Sequence, residues 1–365
     1  MMKKVFSNLS MFILFSILIL ALVACGHSEP TQKEEASEGE SKEAASQGET
    51  IKIKIADSFP NSHTISKYAT LPWIDRIEEL GEGKIEVEYY PAEQLGKADS
   101  LLDVAKNKVA DITYVGPLYV SDTMPLSGVV GNPGLVKDAI SGTKAYNKLV
   151  HEDLYEVELK PHGVKPLWAA ALNPYQIVNS KHPVKEIKDF KGLKIRTSGG
   201  LQEQLMQNWG VTPVSVPAPE IYTAWDRGTL DGTLISLFSW PGYQIEKLAK
   251  YSTVNAKLSS FGVMYVVNEE VWESWPEEVR QAVEKASNEA SDMMAQAIVD
   301  HENALMEEYK EQGVEFYELP EEELQKWDEE LEPFNRKWAE NLDAKGMPGT
   351  EILEKFTQYN EEFSK

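Results

Sequence analysis

Cysteine is nearly absent: the 365 residues hold one, Cys25. No disulfide can form within a single chain, so the fold must rest on its core. Histidine is sparse, and His27, His63, His151, His162, His182 and His301 show no H-E-x-x-H or other metal spacing. A single cysteine adds nothing toward a zinc site, and no metal or cofactor is expected. Basic residues are outnumbered, 36 Lys and Arg against 59 Asp and Glu, for a formal charge of −23. That balance argues against nucleic acid, which needs clustered Lys and Arg. It leaves room for a small anion, because one Arg in a cleft can dominate locally. Catalytic signatures are missing as well. Thr197-Ser198-Gly199-Gly200 lacks the Gly-Lys-Ser/Thr that completes a phosphate loop. There is no G-x-S-x-G elbow. Nothing recommends an enzyme.

Long apolar runs are confined to the amino terminus. Lys3 and Lys4 precede MFILFSILILALVA, residues 11–24, which has the length of a signal-peptide core. It is short of the ~20 residues of a membrane-spanning helix. Counting back to Val5 lengthens it, so a retained anchor is the alternative. Leu22-Val23-Ala24-Cys25 resembles the bacterial lipobox, which makes Cys25 the expected lipid attachment. Residues 1–24 are then a lipoprotein signal peptide, and the body is anchored to the outer face of the cell membrane. Residues 26–50 carry seven Glu against two Lys and nothing apolar larger than Ala. Such a stretch cannot bury enough surface to fold. Residues 25–50 are read as a lipidated Cys followed by a flexible acidic stalk.

Hydrophobic residues make up 42% of the chain, enough for a substantial core. Roughly 310–320 residues follow the tail, two domains' worth. IKIKIADSF (51–59), KIEVEYYP (84–91) and ADITYVGP (110–117) read as strands, with helices over 65–80 and 97–108 between them. The same order returns as GLKIR (192–196), a helix over 201–209, VTPVSVP (211–217), a helix over 219–226, and DGTLISL (231–237). Two β-α-β-α-β units predict an α/β protein of two similar lobes around a cleft. Ligands of such sheets bind beyond the carboxyl ends of the strands. Ser274 and Glu277 look like a capping box. A helical apolar stripe then runs to about Gly313, ~55 Å at 1.5 Å per residue. Met293, Met294 and Met306 on it read as core filler. VEFYEL (314–319) is a strand, and helices follow from Glu321 and Thr350.

Arg196 ends the strand GLKIR, just before a Gly-rich turn into a helix. A guanidinium fork grips a carboxylate through two charge-assisted bonds, and a helix amino terminus adds N–H groups. A surface Arg after a strand is the plainer reading. Phe238 and Trp240 follow another strand end and suit either an apolar ligand wall or interlobe packing. Phe59 and His63, in DSFPNSH after the first strand, are similarly placed. Tyr114 in ADITYVGP, and Asn173 and Gln176 in NPYQIVNSK, complete the candidate set.

KIEVEYYPAEQLG, ADITYVGP, DFKGLKIR, PAPEIYTAWDRGTLDG and VNEEVWESWPEEVRQAV resemble, in order, signature stretches of the DctP-type solute-binding proteins of TRAP transporters. The resemblance covers most of residues 50–345. It implies a two-lobe fold of the type II periplasmic-binding-protein kind, with parallel and mixed sheets, a hinge cleft and a long lobe-spanning helix. Lobe I is expected at 51–170 with a return segment near 258–275, lobe II at 171–257, and the spanning and C-terminal helices at 276–365. It implies a small organic carboxylate as ligand, one small and one large membrane subunit as partners, and an ion gradient as driving force. In the family the Arg of K-I-R, here Arg196, holds the ligand carboxylate. Where sialic-acid-type members carry a second Arg, this chain has Gln176. Where many members read D-G-Q-E-N-P, it reads Asp231-Gly232-Thr233-Leu234-Ile235-Ser236. Both departures weaken the case for sialic acid and C4-dicarboxylates, and favour a monocarboxylate with an apolar or aromatic body. An ABC-type binding protein and a surface lipoprotein enzyme are the rival readings.

Overall fold

The computed structural model describes residues 50–364. The export segment, Cys25, and the acidic stretch up to residue 49 lie outside the described residues.

The strands in chain order are β1 (Ile51–Ala56), β2 (Ile85–Tyr90), β3 (Ile112–Val115), β4 (Val164–Ala171), β5 (Gln176–Asn179), β6 (Lys194–Thr197), β7 (Thr212–Ser215), β8 (Gly232–Ile235), β9 (Tyr251–Thr253), β10 (Gly262–Asn268) and β11 (Glu315–Tyr317). They form two sheets, ordered β2-β1-β3-β10-β4 and β11-β9-β5-β8-β6-β7. In β1 the alternation dictates the faces: Ile53 and Ile55 are buried while Lys52 and Lys54 are exposed. β1 pairs in parallel with β2 and β3, and β6 in parallel with β7 and β8. The sequence repeat is therefore a structural repeat. Each β-α-β-α-β unit folds with its first strand in the middle. Each set is then flanked by an antiparallel strand, β10 beside β3 and β5 beside β8. The expected two-lobe α/β fold is the one observed.

The chain passes between the sheets from β4 to β5 and back from β9 to β10. The helix Glu277–Glu311 ties the two together. Its apolar stripe, Val279, Val283, Ala286, Ala290, Met294 and Ile298, is buried. Near its start Trp73 of the first lobe donates to Ser287 at 3.1 Å. Near its end Tyr309 stacks on Trp240 of the second lobe, ring centres 5.6 Å apart. Met294 is fully buried and Met293 and Met306 pack against the same core. The helix Glu321–Asp343 sets Trp327 against Phe190 and Trp209, and Gly349–Phe363 sets Phe356 against Tyr146.

Three local readings change. Ser274 does not cap the long helix. It ends the short helix Glu269–Ser274, and its hydroxyl donates back to the Val271 carbonyl at 2.6 Å. The long helix instead starts behind Pro276, whose fixed φ suits that position. The helix expected over 97–108 shrinks to Leu101–Lys106, because Glu93 takes the Ala98 N–H and holds the preceding turn open. Ala139–Leu149 continues without a break into a π-helical stretch, Val150–Leu159, which no sequence pattern had marked.

Candidate ligand cleft

The carboxyl ends of β1, β3, β6 and β8 bring the candidate residues together. Arg196 sits in β6 with no solvent exposure at all. Its Nε donates to the Val216 carbonyl at 2.8 Å, one terminal nitrogen to the Leu234 carbonyl at 3.4 Å, and the other to the Tyr119 hydroxyl at 3.4 Å. All three acceptors are neutral, and among the described residues Arg196 has no carboxylate partner. Of a guanidinium's five N–H groups, one on each terminal nitrogen remains unused. A dry, unbalanced cation costs several kcal/mol unless an anion arrives to pair with it.

Aromatic rings surround this charge. Tyr175 lies close enough for Arg196 to oppose the upward push that burial gives its hydroxyl. Phe261 packs on Tyr119 (4.9 Å) and stacks with Tyr175 (6.3 Å, 6° between planes). On the first lobe Phe59 touches Tyr114 at 4.6 Å and His63 at 4.7 Å. His63 meets Tyr243 of the second lobe edge-on at 4.8 Å. Burial pushes His63 down to about 3. Asp57, behind Phe59, is pushed up to about 6 by burial, against hydrogen bonds from Phe59 N–H, Tyr265 and Tyr89.

The lobes meet across this centre. Tyr119, from the first lobe, accepts the Ala218 N–H at 3.0 Å as well as the Arg196 bond. The Thr64 hydroxyl donates to the Phe238 carbonyl. Gly199 has φ +98°, and a Cβ there would lie 3.0 Å from the Leu118 carbonyl oxygen. Two grooves open to either side. One of about 510 Å³ is lined by Asp99, Tyr119, Ser198, Gly199 and Gln207, and one of about 310 Å³ by Ser58, Glu93, Tyr222, Gly242 and Tyr243. Ala92 and Glu93 on one lip and Gln244 on the other hold left-handed backbone, φ 54°, 63° and 56°. Such strain gathers where structure serves a site.

Of the sequence candidates, Arg196, Tyr114, Phe59 and His63 converge. Phe238 is buried in the interlobe packing, 6.5 Å from Tyr68. Gln176, Asn173 and Trp240 are occupied elsewhere. The Gln176 amide donates to the Pro174 and Ala256 carbonyls and accepts from Thr253 and Ala256. Asn173 accepts the Ala139 N–H and donates to Glu302. Trp240 packs between Tyr309 and Phe316. These three line a different groove of about 360 Å³, which Arg196 does not reach. Tyr243, in the loop-aromatic stretch Phe238–Tyr243 read as a ligand wall or interlobe packing, does reach the centre against His63, whereas sequence reasoning missed Tyr119, Tyr175 and Phe261. Among the described residues no cluster of three or more His, Cys, Asp or Glu could hold a metal, and no helix is long and apolar enough to cross a membrane.

Residues 55–341 match the family model described as bacterial extracellular solute-binding protein, family 7, DctP. The chain is 29% identical over 283 residues to the C4-dicarboxylate-binding periplasmic protein DctP of Rhodobacter capsulatus, covering 74% of this chain and 82% of that one. Among solved structures it resembles a marine metagenome TRAP solute-binding protein in complex with 3-hydroxybenzoate, with a TM-score of 0.81 at 21% identity over 87% of this chain and 100% of that one. It also resembles a TRAP protein of Rhodoferax ferrireducens in complex with benzoate, with a TM-score of 0.78 at 21% identity over 86% and 99%. The chain belongs to the DctP family of bacterial extracellular solute-binding proteins, the binding components of TRAP transporters.

Proposed function

We propose that this receptor closes over a small monocarboxylate with an aromatic or apolar body and delivers it to the small and large TRAP membrane subunits. The observation that carries the reading is Arg196, a fully buried guanidinium whose hydrogen bonds all go to neutral oxygens. A ligand carboxylate supplies the missing charge and takes the unused N–H of each terminal nitrogen, a bidentate grip. The Tyr119 hydroxyl, already accepting twice, has its own proton free to donate. Tyr114, Phe59, Tyr175 and Phe261 give the ligand body flat apolar walls. Gln176, Asn173, Phe238 and Trp240 act through the linkers and the lobe interface.

The structural relatives that hold benzoate and 3-hydroxybenzoate support the aromatic class. The Rhodobacter relative is named for C4-dicarboxylates. A dicarboxylate brings a second charge, and the groups ringing Arg196 offer no second cation. A thermal-shift screen decides between them. Ligand at 100 times its dissociation constant adds about 2.7 kcal/mol of stability. Benzoate and its hydroxy derivatives are expected to shift the melting point and succinate to leave it unchanged. The opposite pattern rejects the reading. Cys25 is proposed as the lipid anchor that keeps the receptor on the outer face of the membrane. Cys25→Ala is expected to release it to the medium or leave it unprocessed, and a variant still lipidated and fully membrane-bound rejects the anchor.

A further inference from the structure

Arg196 has no exposure, so a ligand reaches it only after the lobes part. The seam that parts contains His63. Its ring is fully buried, with Phe59 on its own side at 4.7 Å and Tyr243 of the other lobe at 4.8 Å. Gly242 of the other lobe presses so closely that a Cβ there would stand 1.9 Å from His63 Cδ2. While the seam is shut, the ring can neither turn nor leave.

Its protonation is fixed by its bonds. Nδ1 accepts the Ile65 N–H at 3.0 Å, so it carries no proton. The single ring proton is on Nε2, which is buried and finds no acceptor among the described residues. A second proton would have to enter at Nδ1, against the Ile65 N–H, and would place a whole charge in a dry seam. The groups facing it give no counter-charge. From its own loop the Asp57 carboxyl is taken by Phe59 N–H, Tyr89 and Tyr265. From β3 there is Tyr114, behind Phe59. From the other lobe there is Tyr243, and beyond Tyr243 the cation Arg196.

We propose that closure of the cleft is proton-linked through His63: the shut seam accepts only the neutral ring, parted lobes let it ionise, and acid therefore opens the cleft and releases the ligand. The linkage holds whichever carboxylate the cleft takes. Burial lowers His63 to about 3 in the shut state, whereas a hydrated imidazole titrates near 6.5. Between those values opening takes up one proton. The shut-to-open ratio then falls about tenfold for each pH unit below 6.5 and is flat above it. Asp57 titrates in the same range, but its partners all belong to one lobe, so parting the lobes leaves it in place.

The test uses the full chain without ligand. Cys25→Ser removes the native thiol, and Asp99→Cys and Gln207→Cys carry spin labels on exposed positions of the groove they both line. Pulsed electron resonance reads the distance from pH 8 to pH 4.5. A short distance at pH 8 is expected to give way to a longer one, with the shut-to-open ratio dropping about tenfold from pH 6 to pH 5. His63→Asn, whose Oδ1 can still take the Ile65 N–H, is expected to hold the short distance throughout. Gly242→Ala, propped by its methyl group, is expected to be open at every pH. The proposal falls if the parent distance is constant, if the parent is already open at pH 8, if His63→Asn opens with the same profile, or if Gly242→Ala stays shut.

Discussion

The two lobes share a strand order and divide the chemistry. The second lobe carries the charge, Arg196 in β6, flanked by carbonyls of residues 216 and 234. The first lobe brings no cation to the centre. Its strand ends supply Phe59, His63, Tyr114 and Tyr119, three of them buried and Tyr119 half-buried. A doubled scaffold thus gives one half that grips and one half that covers. Gripping needs a rigid, preorganised charge, and covering needs flat apolar area that can be wetted and dried repeatedly.

Removing the grip should have the largest effect. Arg196→Ala is expected to weaken carboxylate binding by about 2–5 kcal/mol, because the ligand charge is left unpaired in a dry site. Arg196→Lys keeps the charge, loses the fork, and should fall between. Arg196→Ala should not lower the melting temperature, since the free protein sheds a buried cation that has no counter-charge. Wild-type affinity in a folded Arg196→Ala protein, read by calorimetry, would move the grip to the other lobe.

The lobes should also part company with pH. Asp57 and Glu158 both belong to the first lobe. Burial raises Glu158 to about 7 although it accepts Leu126 N–H at 2.6 Å and Ser127 N–H at 2.7 Å. A carboxyl with a raised folded pKa stabilises fully below its unfolded pKa and loses that contribution as pH climbs through the folded value. The loss runs from about pH 4 to about pH 6 for Asp57 and from about pH 4.5 to about pH 7 for Glu158, and together the two amount to a few kcal/mol at most. Hydrogen exchange should therefore show residues 139–159 losing protection between about pH 4.5 and about pH 7, relative to intrinsic rates, while β6–β8 hold theirs. Glu158→Gln should remove the upper part of that loss. Equal weakening of both lobes would break the distinction.

A smaller effect isolates the seam. Gly199 and Gly228 both hold positive φ, +98° and +75°, but an added methyl group at Gly228 meets nothing within 4 Å, while at Gly199 it meets the Leu118 carbonyl of the covering lobe. Alanine at either site strains the backbone by about 1 kcal/mol. Only Gly199→Ala should also weaken ligand binding, by roughly 1–2 kcal/mol. Equal affinities in the two variants would mean that the Leu118 contact yields without resistance.

The repeat was legible because β1, β2, β3, β6, β7 and β8 either alternate or are bounded by Gly or Pro. β4 and β10 were not, because VKPLWAAA and GVMYVVN are buried on nearly every residue and so lack a period of two. Arg196 was legible from its strand end and from the K-I-R stretch. Its aromatic ring was only half legible. Phe59 and Tyr114 lie in or near β1 and β3, whereas Tyr175 and Phe261 sit on the linkers between sheets, which no local pattern marks. Trp240 and Tyr243 show the limit most sharply. Both lie on one short helical turn, and three residues suffice to send one into the core beside Tyr309 and the other against His63.

Tyr119 gives the finest cut, because it is a covering-lobe residue that touches the grip. Tyr119→Phe keeps the ring on Phe261 and removes the hydroxyl that accepts from Arg196 and from the Ala218 N–H and whose proton is proposed to reach the ligand. With the lobes parted, water serves both donors, so the open receptor should lose nothing. With the lobes shut, both donors lose their acceptor, and the expected cost is about 1 kcal/mol, near fivefold in affinity. If the first lobe only covers, that cost belongs to the closed complex. Stopped-flow kinetics should then show ligand leaving about five times faster with an unchanged association rate. A slower association rate with an unchanged release rate would show that Tyr119 helps to catch the anion before closure, and the separation of gripping lobe from covering lobe would have to be redrawn through that residue.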